Sequence, residues 1–150
     1  MIEIKFRAKS AATGKWVYGY PVPFPDGISG WALVGDMFYA PQDGHIGTSM
    51  YFEVLNDTIG AYCGFTDYFN TPAYDGDIIS VDPDLYGIIR YGQHKPSVLH
   101  SEKTACGFYV EWLGERSDTY RTNIGYWLST RGAVIRGNIF DNPEIVEAAK

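Results

Sequence analysis

Apolar and charged residues alternate strictly near the start of the chain: Ile2, Ile4 and Phe6 fall on one face of an extended backbone, Glu3, Lys5 and Arg7 on the other. A period of two marks a half-buried β-strand. Ala12-Thr13-Gly14-Lys15 then reads as a turn into a second strand, Trp16-Val17-Tyr18-Gly19-Tyr20, so the chain is predicted to open with a β-hairpin. Between Pro21 and His45 the pattern is interrupted by Pro21, Pro23, Pro25 and Pro41 and by Gly27, Gly30, Gly35 and Gly44. Breakers at that density argue against a long helix or a central strand. The segment is read as an elaborated loop, with short strands at Trp31-Ala32-Leu33-Val34 and Met37-Phe38-Tyr39 around a Gly35-Asp36 turn.

Strand-like runs resume at Met50–Val54, Ile59–Cys63 and Asp77–Val81. Asp82-Pro83-Asp84 is a strong turn signal, and Gly87-Ile88-Ile89-Arg90-Tyr91 can return antiparallel to the strand before it. Gly107–Trp112 and Ala133–Ile139 extend the series. Asn142 suits a helix cap and Pro143 a first helical position, so residues 144 to 149 are predicted to form a short helix. The expected fold is mainly β: a small rolled sheet or barrel-like domain over residues 1–150, with an elaborated N-terminal loop region and a short C-terminal helix.

Composition narrows the function classes. With 150 residues and 45% apolar side chains the chain can build a core without staples. Its formal net charge is −6 and no block of Lys or Arg stands out, which counts against a sequence-independent grip on nucleic acid. Cys63 and Cys106 are 43 positions apart and are read as free thiols in a reducing compartment. The alternating N-terminal residues lack the unbroken apolar stretch of an export signal, and no apolar run is long enough to span a membrane; cytoplasmic location is the expectation.

Three segments carry a family resemblance. Ile4-Lys5-Phe6-Arg7-Ala8 is followed by Lys15-Trp16-Val17-Tyr18-Gly19. Ile59-Gly60-Ala61-Tyr62-Cys63-Gly64-Phe65-Thr66-Asp67 leads to Tyr74-Asp75-Gly76-Asp77-Ile78-Ile79. The third is Val134-Ile135-Arg136-Gly137-Asn138-Ile139-Phe140-Asp141-Asn142-Pro143-Glu144. In order and spacing they resemble the YopX-like family of small phage- and prophage-encoded proteins, with the third segment the most specific match. Residues of about 21–56 and 94–131 are insert-like segments without a recognisable counterpart, and Ala61, Cys63 and Tyr68-Phe69 depart from the family pattern. The resemblance implies a mainly β fold, a mobile-element origin and self-association. It supplies no catalytic residue.

Candidate chemistry centres on Asp75, Asp77, Asp82 and Asp84, which could bind a hard cation or act as acid and base across the predicted hairpin. The favoured alternative is structural: Gly76 takes a positive φ, and Asp77 bonds the turn backbone. His94, His100 and Cys106, with His45 upstream, lack the compact spacing of a zinc site. Neither Cys63 nor Cys106 lies in a motif that would lower its pKa. Gly27-Ile28-Ser29-Gly30 lacks the Lys and the context of a phosphate loop. Trp31, Tyr39, Tyr68, Phe69, Tyr74 and Tyr86 could stack bases, but without accompanying Lys and Arg a protein interface is the better use.

The sequence thus points to a non-enzymatic interaction or assembly module with no cofactor, whose partner is another copy of itself or a different protein. The alternative is a nucleic-acid-associated protein of a mobile element, with a patch drawn from Arg90, Lys95, Lys103, Arg116, Arg121, Arg131 and Arg136.

Overall fold

The alternating N-terminal segment becomes β1 (Phe6–Lys9), and the predicted turn returns it into β2 (Trp16–Pro23). Gly14 takes φ +68° at that turn, its N–H donating to the Ser10 carbonyl at 2.8 Å. The computed structural model describes residues 3–24, 30–40, 45–96, 103–114 and 123–150, the side chains of 36–40 and 45–50 excepted. The described strand is shorter than the alternation suggests: Ile4 precedes β1 and is exposed.

The segment read as a loop is instead a long hairpin. β3 (Trp31–Ala40) runs straight through Gly35 and Asp36 and pairs antiparallel with β4 (His45–Glu53). The prolines are accommodated by the way β2 is shared. Its residues Trp16 to Gly19 pair with β1, whereas Tyr20 to Pro23 pair with β3. Pro21 and Pro23 therefore stand where β2 has a strand on one flank only, the position at which a missing N–H costs no ladder bond. Breaker counting excludes proline from a strand paired on both flanks; it does not exclude this half of β2.

The chain divides into two compact units, Met1–Tyr62 and Cys63–Lys150. In the first, the sheet runs β4-β3-β2-β1 and then the start of β5 (Gly60–Thr66). Ala8, Leu33 and Val54 are buried on one face, with Phe6, Val17, Phe52 and Ile59 packed against them. Thr58, on a single 3₁₀ turn, accepts the Lys9 N–H at 2.8 Å and donates to the Leu55 carbonyl at 2.7 Å, anchoring the connection to β5.

In the second unit, β5 continues beside β6 (Pro72–Tyr74). A separate antiparallel sheet has the order β10-β7-β8-β9, built from β7 (Asp77–Asp82), β8 (Leu85–His94), β9 (Ala105–Trp112) and β10 (Val134–Asn138). The hairpin predicted at Asp82-Pro83-Asp84 joins β7 to β8. Ile79, Ile89, Val110, Trp112, Trp127 and Leu128 lie in its core. Trp112 and Trp127 meet edge to face at 4.6 Å, a geometry worth about 1 kcal/mol beyond area burial. Trp127 arrives on a π-helical turn, Tyr126–Thr130, which no sequence signal announced.

The chain is mainly β, as the strand pattern predicts, with two antiparallel sheets and the short helix α1 (Pro143–Ala149). No barrel closes among the described strands. Pro143 occupies the first turn of α1, but Asn142 makes no side-chain cap bond to it. Its amide oxygen instead accepts the Asn138 N–H at 3.2 Å.

Candidate functional site

The segments that look most like motifs are occupied with their own backbone. Tyr74-Asp75-Gly76-Asp77 is the tight connection from β6 to β7. Gly76 takes φ +89° there, and the buried Asp77 accepts the Tyr74 N–H on Oδ2 at 2.8 Å. The Gly76 N–H donates to the Ile89 carbonyl at 2.8 Å, and its carbonyl accepts the Ile139 N–H at 2.9 Å. Asp67 is also buried. Its Oδ1 accepts the Phe69 and Thr71 N–H groups at 2.9 Å each, and its Oδ2 accepts that of Ile135 at 3.1 Å. Asn138, opposite Asp77 in the ladder, accepts the Phe140 and Asp141 N–H groups at 3.0 and 2.9 Å and donates to Asp141 Oδ2 at 3.0 Å.

The four candidate carboxylates, Asp75, Asp77, Asp82 and Asp84, do not share one place. Asp77 starts β7 and Asp82 ends it, a separation of about 16 Å at strand rise. Asp82 and Asp84 are exposed at the hairpin tip, and Asp75 is half-buried at the other end. Among the described residues no three His, Cys, Asp or Glu side chains gather as a metal site.

His94 and Cys106 point away from each other. The register pairs His94 with Ala105 and Gln93 with Cys106, so the two side chains occupy opposite faces of the sheet. His94 stacks on Tyr109 at 4.5 Å. His100 and Gly27-Ile28-Ser29 lie outside the described residues, as does the side chain of His45. Cys63 is a free thiol whose Sγ donates to the Phe65 carbonyl at 3.8 Å. Burial pushes that thiol up to about 11, the direction opposite to what a nucleophile needs. It borders a cavity of about 540 Å³ with Phe65, His94, Phe108 and Asn123. Asn123 turns its amide oxygen to the Tyr126 N–H at 3.1 Å.

The arrangement with most to offer a ligand is the outer face of the first unit's sheet. Residues directly opposite in a ladder share a face. Lys9 lies opposite Trp16 and Arg7 opposite Tyr18; Tyr20 lies opposite Val34, which lies opposite Tyr51. All of these face away from Leu33 and Ala8. Tyr18, Tyr20 and Tyr51 are 57, 50 and 55% exposed. The Arg7 guanidinium sits 4.5 Å from the Trp16 ring centre, the Lys9 ammonium 5.6 Å from the same ring, and the Lys5 ammonium 5.8 Å from that of Tyr62. Each is within cation–π range.

A family model described as "YopX protein" matches residues 5–147. The chain belongs to the YopX family. A crystal structure of protein EF1440 from Enterococcus faecalis is similar to this YopX chain with a TM-score of 0.63, covering 97% of this chain and 99% of that one at 20% identity. Identity that low establishes a shared fold alone. No curated protein matches the chain significantly.

Set beside the family match, the aromatics singled out from sequence fare unevenly. In this YopX chain Tyr68 and Phe69 are both 69% exposed and meet edge to face at 5.2 Å, whereas Tyr74 is buried. The side chain of Tyr39 is outside the described residues. Sequence reasoning passed over Trp16, Tyr18, Tyr20 and Tyr51 as a set. The spacing of two in Trp16, Tyr18 and Tyr20, matched by Lys5, Arg7 and Lys9, was the available signal. Only the register reveals that the two rows share a face. Of the basic residues of the second half, Arg90 bonds Glu111 at 2.9 Å and Arg136 bonds Ser80 at 2.8 Å, while Arg116 and Arg121 lie outside the described residues.

Proposed function

We propose that this YopX-family chain is a non-enzymatic binding module of a phage or prophage, that it works in the cytoplasm, and that it docks a macromolecule on the outer face of the first unit's sheet. The observation that carries the reading is the row of Tyr18, Tyr20 and Tyr51, each at least half exposed on one face of paired strands. Exposed aromatic rings set side by side are what binding surfaces provide and what a solvated sheet face otherwise avoids. An open sheet face suits an extended partner, since small substrates are held in concave pockets.

Two further features favour binding over catalysis. Asp67 and Asp77 have carboxylates engaged by backbone N–H groups, and the Cys63 thiol is held protonated. A cytoplasmic setting accords with two free cysteines.

The test compares wild type with a Tyr18→Ala/Tyr20→Ala/Tyr51→Ala variant by light scattering coupled to size exclusion, and by recovery of macromolecules from lysate with and without nuclease. The expected result is that wild type carries or assembles with a macromolecule and the equally folded variant does not. A wild-type monomer that retains nothing refutes the proposal. A discrete oligomer lost in the variant identifies a second copy of the chain as the occupant.

A further inference from the structure

We infer that the outer face of the first unit's sheet binds single-stranded nucleic acid, with unpaired bases stacking on Tyr18, Tyr20 and Tyr51 and phosphates met by Lys5 and Lys9. The inference rests on the docking role proposed for this face and adds the chemistry of the occupant.

Charge distribution is the first ground. The chain is acidic overall, with 18 Asp and Glu against 12 Lys and Arg. Residues 4 to 25 invert that balance: they hold Lys5, Arg7, Lys9 and Lys15 and no carboxylate. Three of these four alternate along the N-terminal segment, so they project from the face that carries Trp16 and Tyr18. Among the side chains described on this face the carboxylates lie at its margins, Glu3 in an ion pair with Lys5 and Glu53 on β4; Asp36 falls on the same face by strand alternation, its side chain outside the described residues. The face thus presents cations interleaved with aromatic rings. A polyanion with aromatic bases matches both.

Geometry is the second ground. Tyr18 and Tyr20 are two residues apart on β2, so their rings start roughly 7 Å apart along the strand, a step that one extended nucleotide can bridge. Tyr51 lies two strands across from Tyr20, roughly 10 Å away, and Phe24 meets it edge to face at 6.0 Å. Arg7 is buried against Trp16 and so acts as a fixed positive charge beneath the platform. Lys5 is exposed and Lys9 half-buried, so their ammonium groups can reach phosphates on this face. A sheet face with stacking rings and flanking cations reads unpaired bases, whereas a duplex hides its base faces within its own stack.

The experiment measures fluorescence anisotropy of labelled fifteen-nucleotide oligo(dT) and oligo(rU), with a duplex of equal length as comparison. Single strands should bind in preference to the duplex. With two phosphate contacts, affinity should fall about sevenfold between 50 and 200 mM salt, and Lys9→Gln should lower the log–log salt slope by about 0.7. Tyr18→Ala/Tyr20→Ala should weaken binding at least about 25-fold, fivefold or more per ring. Tyr68→Ala/Phe69→Ala, in the second unit, should leave binding unchanged. Because Tyr18 and Tyr20 are exposed, their variants should keep the wild-type melting temperature.

Absence of binding at 50 mM salt, equal affinity for duplex, or unchanged binding by the folded Tyr18→Ala/Tyr20→Ala variant would each overturn the inference. If that variant loses self-association or a captured protein while single strands fail to bind wild type, macromolecular docking stands and the nucleic-acid inference falls. If it changes neither, both fall.

Discussion

Replacing Asp67 with Asn removes one negative charge and one acceptor from a buried carboxylate that receives three backbone N–H groups. An amide can keep Phe69 and Thr71 by placing its oxygen at Oδ1. Its NH₂ group then faces the Ile135 N–H, and two donors meet where a bond of 3.1 Å stood. Flipping the amide restores Ile135 and orphans the other two. Hydrogen bonds to a charged acceptor contribute about 1.5–3 kcal/mol, and an unpaired buried donor costs about 1–3 kcal/mol. Losing one such bond and weakening two others sets the expected destabilisation at roughly 2–4 kcal/mol.

Urea unfolding followed by tryptophan fluorescence measures the loss, since Trp112 and Trp127 lie in the core of the second unit. The midpoint should fall by about 1–2 M with the slope unchanged. Hydrogen exchange should show the Ile135 amide losing protection more than the Ile79 amide. A destabilisation below about 0.5 kcal/mol, the size of an ordinary surface change, would refute the view that Asp67 ties the turn after β5 to β10.

Gly137→Ala should cost at least about 2 kcal/mol, seen as a lower urea midpoint, because Gly137 takes φ +153° at a β-bulge and an added Cβ would meet Asn142 Cγ at 2.6 Å. Stability should fall between pH 9 and 11. There the unfolded chain releases the Cys63 proton near the ordinary thiol value of 9.0 while the folded chain holds it to about 11, so the unfolded state binds fewer protons. Over that window the loss is at most about 2–3 kcal/mol, and Cys63→Ala should flatten the slope; equal slopes would contradict the cause given. Asp82→Asn/Asp84→Asn should leave the melting temperature within error, in millimolar magnesium as in chelator, because both carboxylates stand exposed at a hairpin tip away from Asp77.

Local signals were legible where a residue's reason lies within a few positions of it. The Asp82-Pro83-Asp84 hairpin, the Gly76 turn with Asp77 bonding its backbone, and the helix after Pro143 all follow from turn and cap chemistry. The β3–β4 hairpin did not, because whether Pro21 and Pro23 break a strand depends on how far β1 extends, a fact about another segment. Asn142 reads as a helix cap, yet its side chain turns back to Asn138, since the bulge at Gly137 brings that N–H within reach. The outer face was illegible for a related reason. Spacing shows that Trp16, Tyr18 and Tyr20 share a side of β2 and that Lys5, Arg7 and Lys9 share a side of the opening strand, but pairing decides whether those sides coincide.

The three family-like segments differ in how fully folding accounts for them. In the second and third, the polar groups and the turn glycine hold the fold together, for Asp67 holds Ile135, Gly76 bonds Ile89 and Ile139, and Asn138 closes the turn that leads into α1. In the first segment the apolar core accounts for one side only. Phe6, Ala8 and Val17 pack with Leu33, which explains every second position. The positions between them, Lys5, Arg7, Trp16 and Tyr18, contribute no apolar area to that core. The cation–π contact of Lys9 with Trp16 contributes about 0.5–1 kcal/mol, too little to require a tryptophan. The most exposed of these outward side chains, Tyr18 and Tyr20 on β2, are where selection for binding has room to act.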